Sequence, residues 1–381
     1  MKSDKTTPNV PTLRFREFTD GWMLMPLKKL LCFQNGINAD SDKYGKGVKF
    51  ISVSDILNNQ YITYDCIKGM IDIDEKTMEK FLVEYGDMLF QRSSETFEDI
   101  GRANVYLDKE HPATFGGFVI RGKKISEYNP LFFRYLLCTP NARKQTVRMG
   151  AGAQHYNIGQ DGLGKISLYF PAIQEQQKIA AFLSAIDDRI AVQNKIIEDL
   201  KVLKKELCCK LLSNITEYKL LGELCSITTG RLDANANKPN GLYPFFTCGK
   251  ETLLIDTYAF DGEAIMIAGN GDIGHTKYYC GKFNAYQRTY VLMNFRSNAH
   301  FIKMGIDTYL PRKIIEETQG GAMPYIKMST LESLKIPYVS EKAQLAIKNN
   351  YDVIVKKLDQ EVKMLGLLLK QKSFLLNTMF I

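Results

Sequence analysis

The chain repeats itself at a fixed offset, and that repeat limits the fold more than any motif. Two proline-free segments carry it. IQEQQKIAAFLSAIDDRIAVQNKIIEDLKVLKKELCCKLL (173–212) follows Pro171, and EKAQLAIKNNYDVIVKKLDQEVKMLGLLLKQKSFLLNTMF (341–380) follows Pro337. In the first, apolar positions alternate by three and four through Ile179, Leu183, Ile186, Ile190, Ile197, Leu200, Leu207 and Leu211. A shift of 168 residues gives Ile347, Tyr351, Ile354, Leu358, Leu365, Leu368, Leu375 and Met379. Each series is interrupted at the same two places, Gln193 matching Glu361 and Lys204 matching Lys372.

A three-four spacing held for four heptads is a coiled-coil seam. One helix of a bundle core would satisfy it too, but two matching copies in one chain point to each other as partners. From Ile179 to Leu211 such a helix runs roughly 45–50 Å at 1.5 Å per residue. Polar residues inside a seam cost stability and fix register, a role open to Gln193, Glu361, Lys204 and Lys372.

The repeat extends upstream of both helices. GAGAQHYNIGQDGLGKISLYFP (150–171) resembles QGGAMPYIKMSTLESLKIPYV (319–339): a small-residue turn, an aromatic (Tyr156, Tyr325), then a short strand before the helix. Further back, GWMLMPLKKLLCFQNG (21–36) resembles TEYKLLGELCSITTG (216–230), each closed by a glycine. The interiors between these flanks have little in common. One scaffold therefore carries two different surfaces.

At 381 residues the chain suits two domains rather than one, and 45% hydrophobic with 24% charged residues is a globular composition. No stretch reaches the 18–20 apolar residues of a membrane span, and MKSDKTTPNVPTLRF has no apolar signal core, so a cytoplasmic protein is expected. Eight cysteines without C-x-x-C, six of them scattered and Cys208 beside Cys209, and four separate histidines (His111, His155, His275, His300) offer no metal-ligand spacing; no metal site is expected. The net charge of +8 permits nucleic-acid binding without requiring it.

IAGNGDIGHT (267–276) contains a G-x-G-x-x-G at Gly269, Gly271 and Gly274, after the apolar run 264–268. A dinucleotide loop must lead from a strand into a helix and be followed by an acid about 20 residues on. Here HTKYYCGKFNAYQRTYVLMNF follows, which reads as strand, turn, strand with the break at Cys280-Gly281, and position 294 is Asn. The loop is therefore read as a hairpin turn. No Pro-Pro occurs, which excludes the tetrapeptide of amino-methylating enzymes. Asp74-Glu75-Lys76 reads as a charged turn rather than a nuclease centre, and no G-x-x-x-x-G-K-[ST] is present.

This layout resembles the specificity subunit of Type I restriction-modification systems over nearly the whole chain. The residues carrying the likeness are PTLRFREFTDGW (11–22), the glycine-aromatic flanks, and PAIQEQQKIAAFLSAIDDRI (171–190). The second copy, SEKAQLAIKNNYDVIVKKL (340–358), keeps Gln344 and Ile354 but lacks the Ile-Asp pair. The resemblance implies an α+β fold with two α/β target recognition domains separated by two long antiparallel coiled-coil helices, a pseudo-twofold internal repeat. The expected divisions are an N-terminal segment (1–20), recognition domain 1 (21–171), a central helix (172–214), recognition domain 2 (215–339) and a C-terminal helix (340–381). It implies a non-catalytic subunit that reads an interrupted sequence in double-stranded DNA, one half per domain, and docks two methyltransferase subunits and the motor/nuclease restriction subunits. Cofactors, namely S-adenosylmethionine, ATP and Mg, then belong to those partners and none to this chain. A coiled-coil scaffold with two protein-binding domains is the alternative.

On that reading, DNA-binding candidates fall in matching places. In domain 1 they are Arg92, Ser93, Ser94 and Arg102 in the loop after an apolar strand, with Arg121 further on. In domain 2 they are Asn270, Asp272, His275 and Lys277 on the glycine turn, with Gln287 and Arg288 in NAYQRTYVL, opposite TFGGFVIRG (114–122). The flanks before the helices add Gln154, His155 and Asn157, and Tyr325 and Lys327. Two half-sites on one face of a duplex lie roughly 34–36 Å apart, the order of length the paired helices supply.

Overall fold

A computed structural model describes residues 9–152, 156–317 and 325–381. The chain forms two compact units. The first comprises residues through Gln193 together with Met364–Ile381, and the second is Asn194–Lys363.

In chain order the first unit contains β1 (Met23–Pro26), β2 (Leu31–Asn35), β3 (Tyr44–Ile51), α1 (Val53–Asn58), β4 (Met70–Ile71), α2 (Glu75–Lys80), β5 (Met88–Gln91), β6 (Ser93–Ser94), β7 (Ala103–Val105), β8 (Thr114–Phe115) and β9 (Val119–Lys124). There follow α3 (Pro130–Leu137), α4 (Pro140–Arg148), β10 (Tyr156–Asn157), α5 (Gln160–Lys165), β11 (Ser167–Phe170) and the start of the 41-residue helix α6 (Ile173–Ser213). The run Asp74-Glu75-Lys76 is not a free turn. Asp74 caps α2, its carboxylate accepting from the Thr77 amide at 2.8 Å, and this holds its pKa below the usual carboxylate value.

The second unit continues with β12 (Tyr218–Leu220), α7 (Leu221–Leu224), β13 (Ser226–Thr229), β14 (Tyr243–Phe246), β15 (Thr252–Ile255), β16 (Phe260–Ala268), β17 (Thr276–Ala285) and β18 (Thr289–Met293). Then come α8 (Ala299–Glu317), α9 (Met328–Glu332), β19 (Lys335–Pro337) and the 38-residue helix α10 (Glu341–Thr378), which runs through Gly366 without a break.

The two interiors, unlike in sequence, share a topology. In the first unit the main sheet has the order β2-β9-β5-β7, and in the second β13-β18-β16-β17, extended by β14 and β15. The flanking ribbons match as well, β1 pairing with β11 and β12 with β19, both antiparallel. The Leu27 amide donates to the Ile166 carbonyl and the Leu221 amide to the Leu334 carbonyl, each at 2.8 Å. The glycines that close the repeated flank do so because a side chain has no room. A Cβ on Gly36 would come within 2.2 Å of the Gly116 carbonyl oxygen, and one on Gly230 within 1.9 Å of that of Ala285.

Both long helices join each unit's core. In the first unit Ile179, Leu183, Ile186 and Ile190 of α6 share a cluster with Leu375 of α10 and with Met379 and Phe380 beyond it, capped by Trp22 edge-on to Phe132 and Phe380. In the second, Cys208, Leu211 and Leu212 of α6 meet Ile347 and Tyr351 of α10 and Phe301 and Met304 of α8. The start of one helix therefore packs with the end of the other, the antiparallel arrangement. All the expected seam positions are buried or half-buried, including Leu183, Ile186, Ile190, Ile197, Leu200 and Leu207 on α6 and Tyr351, Ile354, Leu358, Leu365, Leu368 and Leu375 on α10. Toward the end of α6 the most buried stripe moves to Cys208 and Leu212, because α8 packs there.

Polar groups fix how the helices leave each domain. In the first unit the Gln176 side chain donates to the Pro171 carbonyl and accepts from the Asn129 amide, both at 2.9 Å. Gln344, its counterpart 168 residues on, is fully buried, donates to the Val339 carbonyl at 2.8 Å and accepts from the Asn298 amide at 3.1 Å. Asn129 and Asn298 are themselves the caps of α3 and α8. One glutamine thus ties each long helix to the first turn of a domain helix. The opening segment adds Arg14, whose guanidinium grips Glu175 of α6 with two bonds of 2.7 Å.

Candidate nucleic-acid interface

The glycine-rich stretch is a hairpin turn. β16 and β17 pair antiparallel up to Ile267 opposite Thr276, and Gly271 and Gly274 take φ of +63° and +77°, where a Cβ is disfavoured. No helix follows, so there is no amide-lined N-terminus for a pyrophosphate. The break expected at Cys280-Gly281 is instead continuous strand, with Gly281 facing Gly262; the turn lies at Tyr286–Arg288, between β17 and β18.

Each unit holds a cleft where the central strand of its sheet ends. Three backbone links build it, and they recur. The amide after the central strand, Arg92 or Gly269, donates to the carbonyl of Phe118 at 2.8 Å or of Arg288 at 3.0 Å. The carbonyl of that same residue accepts from Ile158 at 3.0 Å or Ile326 at 2.9 Å, residues 168 apart. The turn entering β9 or β18 closes through Val119 to Gly116 or Thr289 to Tyr286, both 2.8 Å.

In the second unit this cleft, about 450 Å³, brings Gln287, Arg288, Tyr325 and Lys327 together beside Gly269. All four side chains are exposed, and the Tyr290 hydroxyl holds the wall in place by donating to the Ile326 carbonyl at 2.7 Å. The other four candidates of this domain lie apart, on the hairpin. Lys277 is engaged within the protein, donating to the Glu251 carbonyl at 2.8 Å and the Gly249 carbonyl at 3.2 Å, and burial lowers its pKa. His275 lines a different cavity, about 910 Å³, with Lys204 of α6 and Lys303 of α8. Burial first, and then the charges of Lys277 and Lys303, push its pKa down. Asn270 and Asp272 sit on the turn, half-buried and exposed respectively.

In the first unit the cleft is about 420 Å³ and is lined by Gln91, Ser93, Ser94, Glu95, Thr96, Asp99 and Phe118. Ser93 hydrogen-bonds Asn157 across the β6–β10 pair, and the Ser94 hydroxyl, buried, accepts from the Thr96 amide at 3.2 Å. Arg92 is half-buried and donates to the Gly117 carbonyl at 3.2 Å, while exposed Arg102 pairs with Asp99 at 2.6 Å. The Asp99 carboxyl is held below the usual range by the Thr96 hydroxyl and then by Arg102. Arg121 corrects the sequence reading. It is 7% exposed, bonded to the Leu82 carbonyl and to Gln34, and lies over the Phe115 ring, so it braces the domain interior. Gln154 and His155 lie outside the described residues.

Glu95, Thr96, Asp99 and Phe118 were not singled out in the sequence, although the loop containing the first three was. The correct correspondence is Phe118 with Arg288, and it rests on backbone pairing that no residue identity reveals. Among the described residues no group of His, Cys, Asp and Glu could hold a metal ion, and no helix is long and apolar enough to cross a membrane.

Two α/β domains of one topology, each with a cleft at the same sheet end but with different linings, share a pair of antiparallel helices. That architecture is the class. The chain belongs to the family of the Type I restriction modification DNA specificity domain, whose model matches residues 20–202 and again 216–370. It is 37% identical over 139 residues to the Type I restriction enzyme EcoDI specificity subunit of Escherichia coli, covering 36% of this chain and 31% of that one. It is 27% identical over 210 residues to the putative MjaX specificity subunit of Methanocaldococcus jannaschii, covering 53% and 48%. These matches span a third to a half of those relatives. The fold resembles the crystal structure of the S subunit of a Type I restriction-modification system from M. genitalium, at 18% identity, covering 98% and 99% of the two chains with a TM-score of 0.59. A second solved chain, from work on assembly and conformational transition of the type I system, gives 14% identity, 94% and 97% coverage and the same TM-score.

Proposed function

We propose that this chain is the DNA-reading subunit of a Type I restriction-modification complex. Each domain reads one half of an interrupted sequence in double-stranded DNA, and α6 and α10 hold the two readers and dock two methyltransferase subunits and the restriction subunits. The observation that carries this reading is the recurrence of one cleft, built by the same three backbone links, with a different lining in each copy. A scaffold for two different proteins could carry unlike linings too, but the match of both repeats to a DNA specificity domain favours DNA. The chemistry of methyl transfer and cleavage belongs to the partners, which bring S-adenosylmethionine, ATP and Mg, in the cytoplasm. Relatives named as specificity subunits, and the family match over both repeats, support the assignment.

The test is binding by the full chain with its methyltransferase subunits to a randomised duplex library. A two-part motif with a fixed gap is expected, with log affinity falling linearly against log salt because phosphate contacts release counterions. A single uninterrupted motif, or no enrichment from any duplex, refutes the proposal.

A further inference from the structure

The two clefts coincide in position and differ in chemistry. In the second domain, Arg288, Gln287 and Lys327 present side-chain donors, and among the described residues neither cation is in an ion pair. In the first domain, among the described residues, no Lys or Arg lines the cleft. Its carboxylates, Glu95 and Asp99, present acceptors; Asp99 pairs with Arg102 and accepts from the Thr96 hydroxyl at 2.8 Å, the Ser93 hydroxyl donates to Asn157, and among the described residues Glu95 is in no ion pair. At the position of Arg288 stands Phe118, 70% exposed. Gln91, buried at the cleft floor, leaves its Oε1 acceptor without a hydrogen-bond partner among the described residues.

A pocket holding two carboxylates is a poor seat for a phosphate, since like charges repel. If the first cleft meets DNA, it therefore meets base edges. The shared backbone frame places the second cleft in the same relation to its duplex. In the major groove guanine offers two acceptors, O6 and N7, which an arginine fork matches, whereas cytosine N4 and adenine N6 are donors that a carboxylate accepts. The mismatched combinations leave buried polar groups unpaired, which is how such sites reject the wrong base.

We infer that the second-domain cleft reads guanine through Arg288, and that the first-domain cleft reads an exocyclic amino group, of cytosine or adenine, through Glu95. This rests on the DNA-reading role proposed above. Gln287 and Lys327 border the guanine seat, and Phe118 supplies an apolar wall where a guanidinium would otherwise reach.

The experiment is selection from a randomised duplex library by the full chain with its methyltransferase subunits, comparing wild type with Arg288→Ala, Arg288→Lys and Glu95→Ala. Both positions are exposed, and thermal melts establish that the variants fold. Arg288→Ala should abolish the preference at one guanine in one half-site, a loss of roughly 10- to 100-fold in discrimination, with the other half unchanged. Arg288→Lys should recover overall affinity but only part of that preference, because a lysine cannot make the paired contact. Glu95→Ala should relax one cytosine or adenine position in the other half. An unchanged motif with uniformly weaker binding would make Arg288 a phosphate contact and overturn the inference. So would relaxation at a base other than guanine, or both variants acting on the same half. A wild-type complex that enriches no motif would instead remove the DNA-reading role itself.

Discussion

The antiparallel helix pair is locked at one place by charge. Asp187 of α6, only 5% exposed, accepts from Lys372 of α10 at 2.5 Å and from the Tyr135 hydroxyl at 2.8 Å. The Lys372 side chain is itself largely covered, and its ammonium lies 5.9 Å from the Tyr135 ring centre. Burial and the adjoining carboxylate push the tyrosine's pKa up, so it stays a donor. Removing Lys372 as Lys372→Met leaves the carboxylate in the interior with one neutral donor. An uncompensated buried charge of this kind costs about 3–5 kcal/mol. For a unit of this size, each kcal/mol shifts the midpoint by roughly 2–4 °C, so a loss near 6–20 °C is expected in the transition that reports the first unit. Asp187→Leu strands the ammonium and the Tyr135 hydroxyl; because lysine is long enough to reach solvent, its cost should be smaller, about 2–3 kcal/mol. The double variant removes both charges and leaves the unpaired hydroxyl, and it should recover most of the loss. A double-mutant cycle on denaturant unfolding measures this directly, with a coupling of at least about 2 kcal/mol expected. Singles that each cost under about 0.5 kcal/mol, or that add without coupling, would show that the pair is solvated and fixes nothing.

Inserting four residues after Leu203 lengthens α6 by about 6 Å at 1.5 Å per residue, and the gap between half-sites should grow while each half stays the same; methylation mapping that finds altered halves and an unchanged gap would refute this. His300 of α8 lies against Tyr278 with ring centres 4.0 Å apart and planes tilted by 35°, and burial, then Lys348, lowers its pKa. The unfolded chain therefore binds a proton that the folded one does not, so stability of the second unit holds above the ordinary histidine value of about 6.5 and declines as pH falls below it. His300→Phe should flatten that decline in thermal melts taken across pH 5 to 8, and an unaltered slope would assign the effect elsewhere.

The helices were legible because their signal is local and periodic. Three-four spacing states which face is buried, and the shared interruptions at Gln193, Glu361, Lys204 and Lys372 aligned the copies. Even there, nothing in the periodic pattern pointed to Asp187. It lies beside a seam position, and its match in the second copy is Val355, so the Asp187–Lys372 pair has no counterpart at the other end of the helices. Lys204, the counterpart of Lys372, sits 5.7 Å over the Tyr351 ring instead.

The domain interiors were hidden for a different reason. What the copies share inside is carried by backbone amides and carbonyls, which every residue except proline supplies in full, so no side chain has to match. Arg92 and Gly269 make the same two hydrogen bonds, Phe118 and Arg288 each accept one of them through the carbonyl, and nothing in their side-chain chemistry pairs them. Arg121 failed as a candidate on the same ground. It lies on β9, opposite Gln34 on one neighbouring strand and Leu89 on the other, so its guanidinium points into the domain, whereas the loop three residues earlier faces out. A frame held by main chain frees the side chains at the cleft to vary without cost to the fold. That is the physical condition under which two copies of one domain can come to read different sequences while the helices between them stay alike.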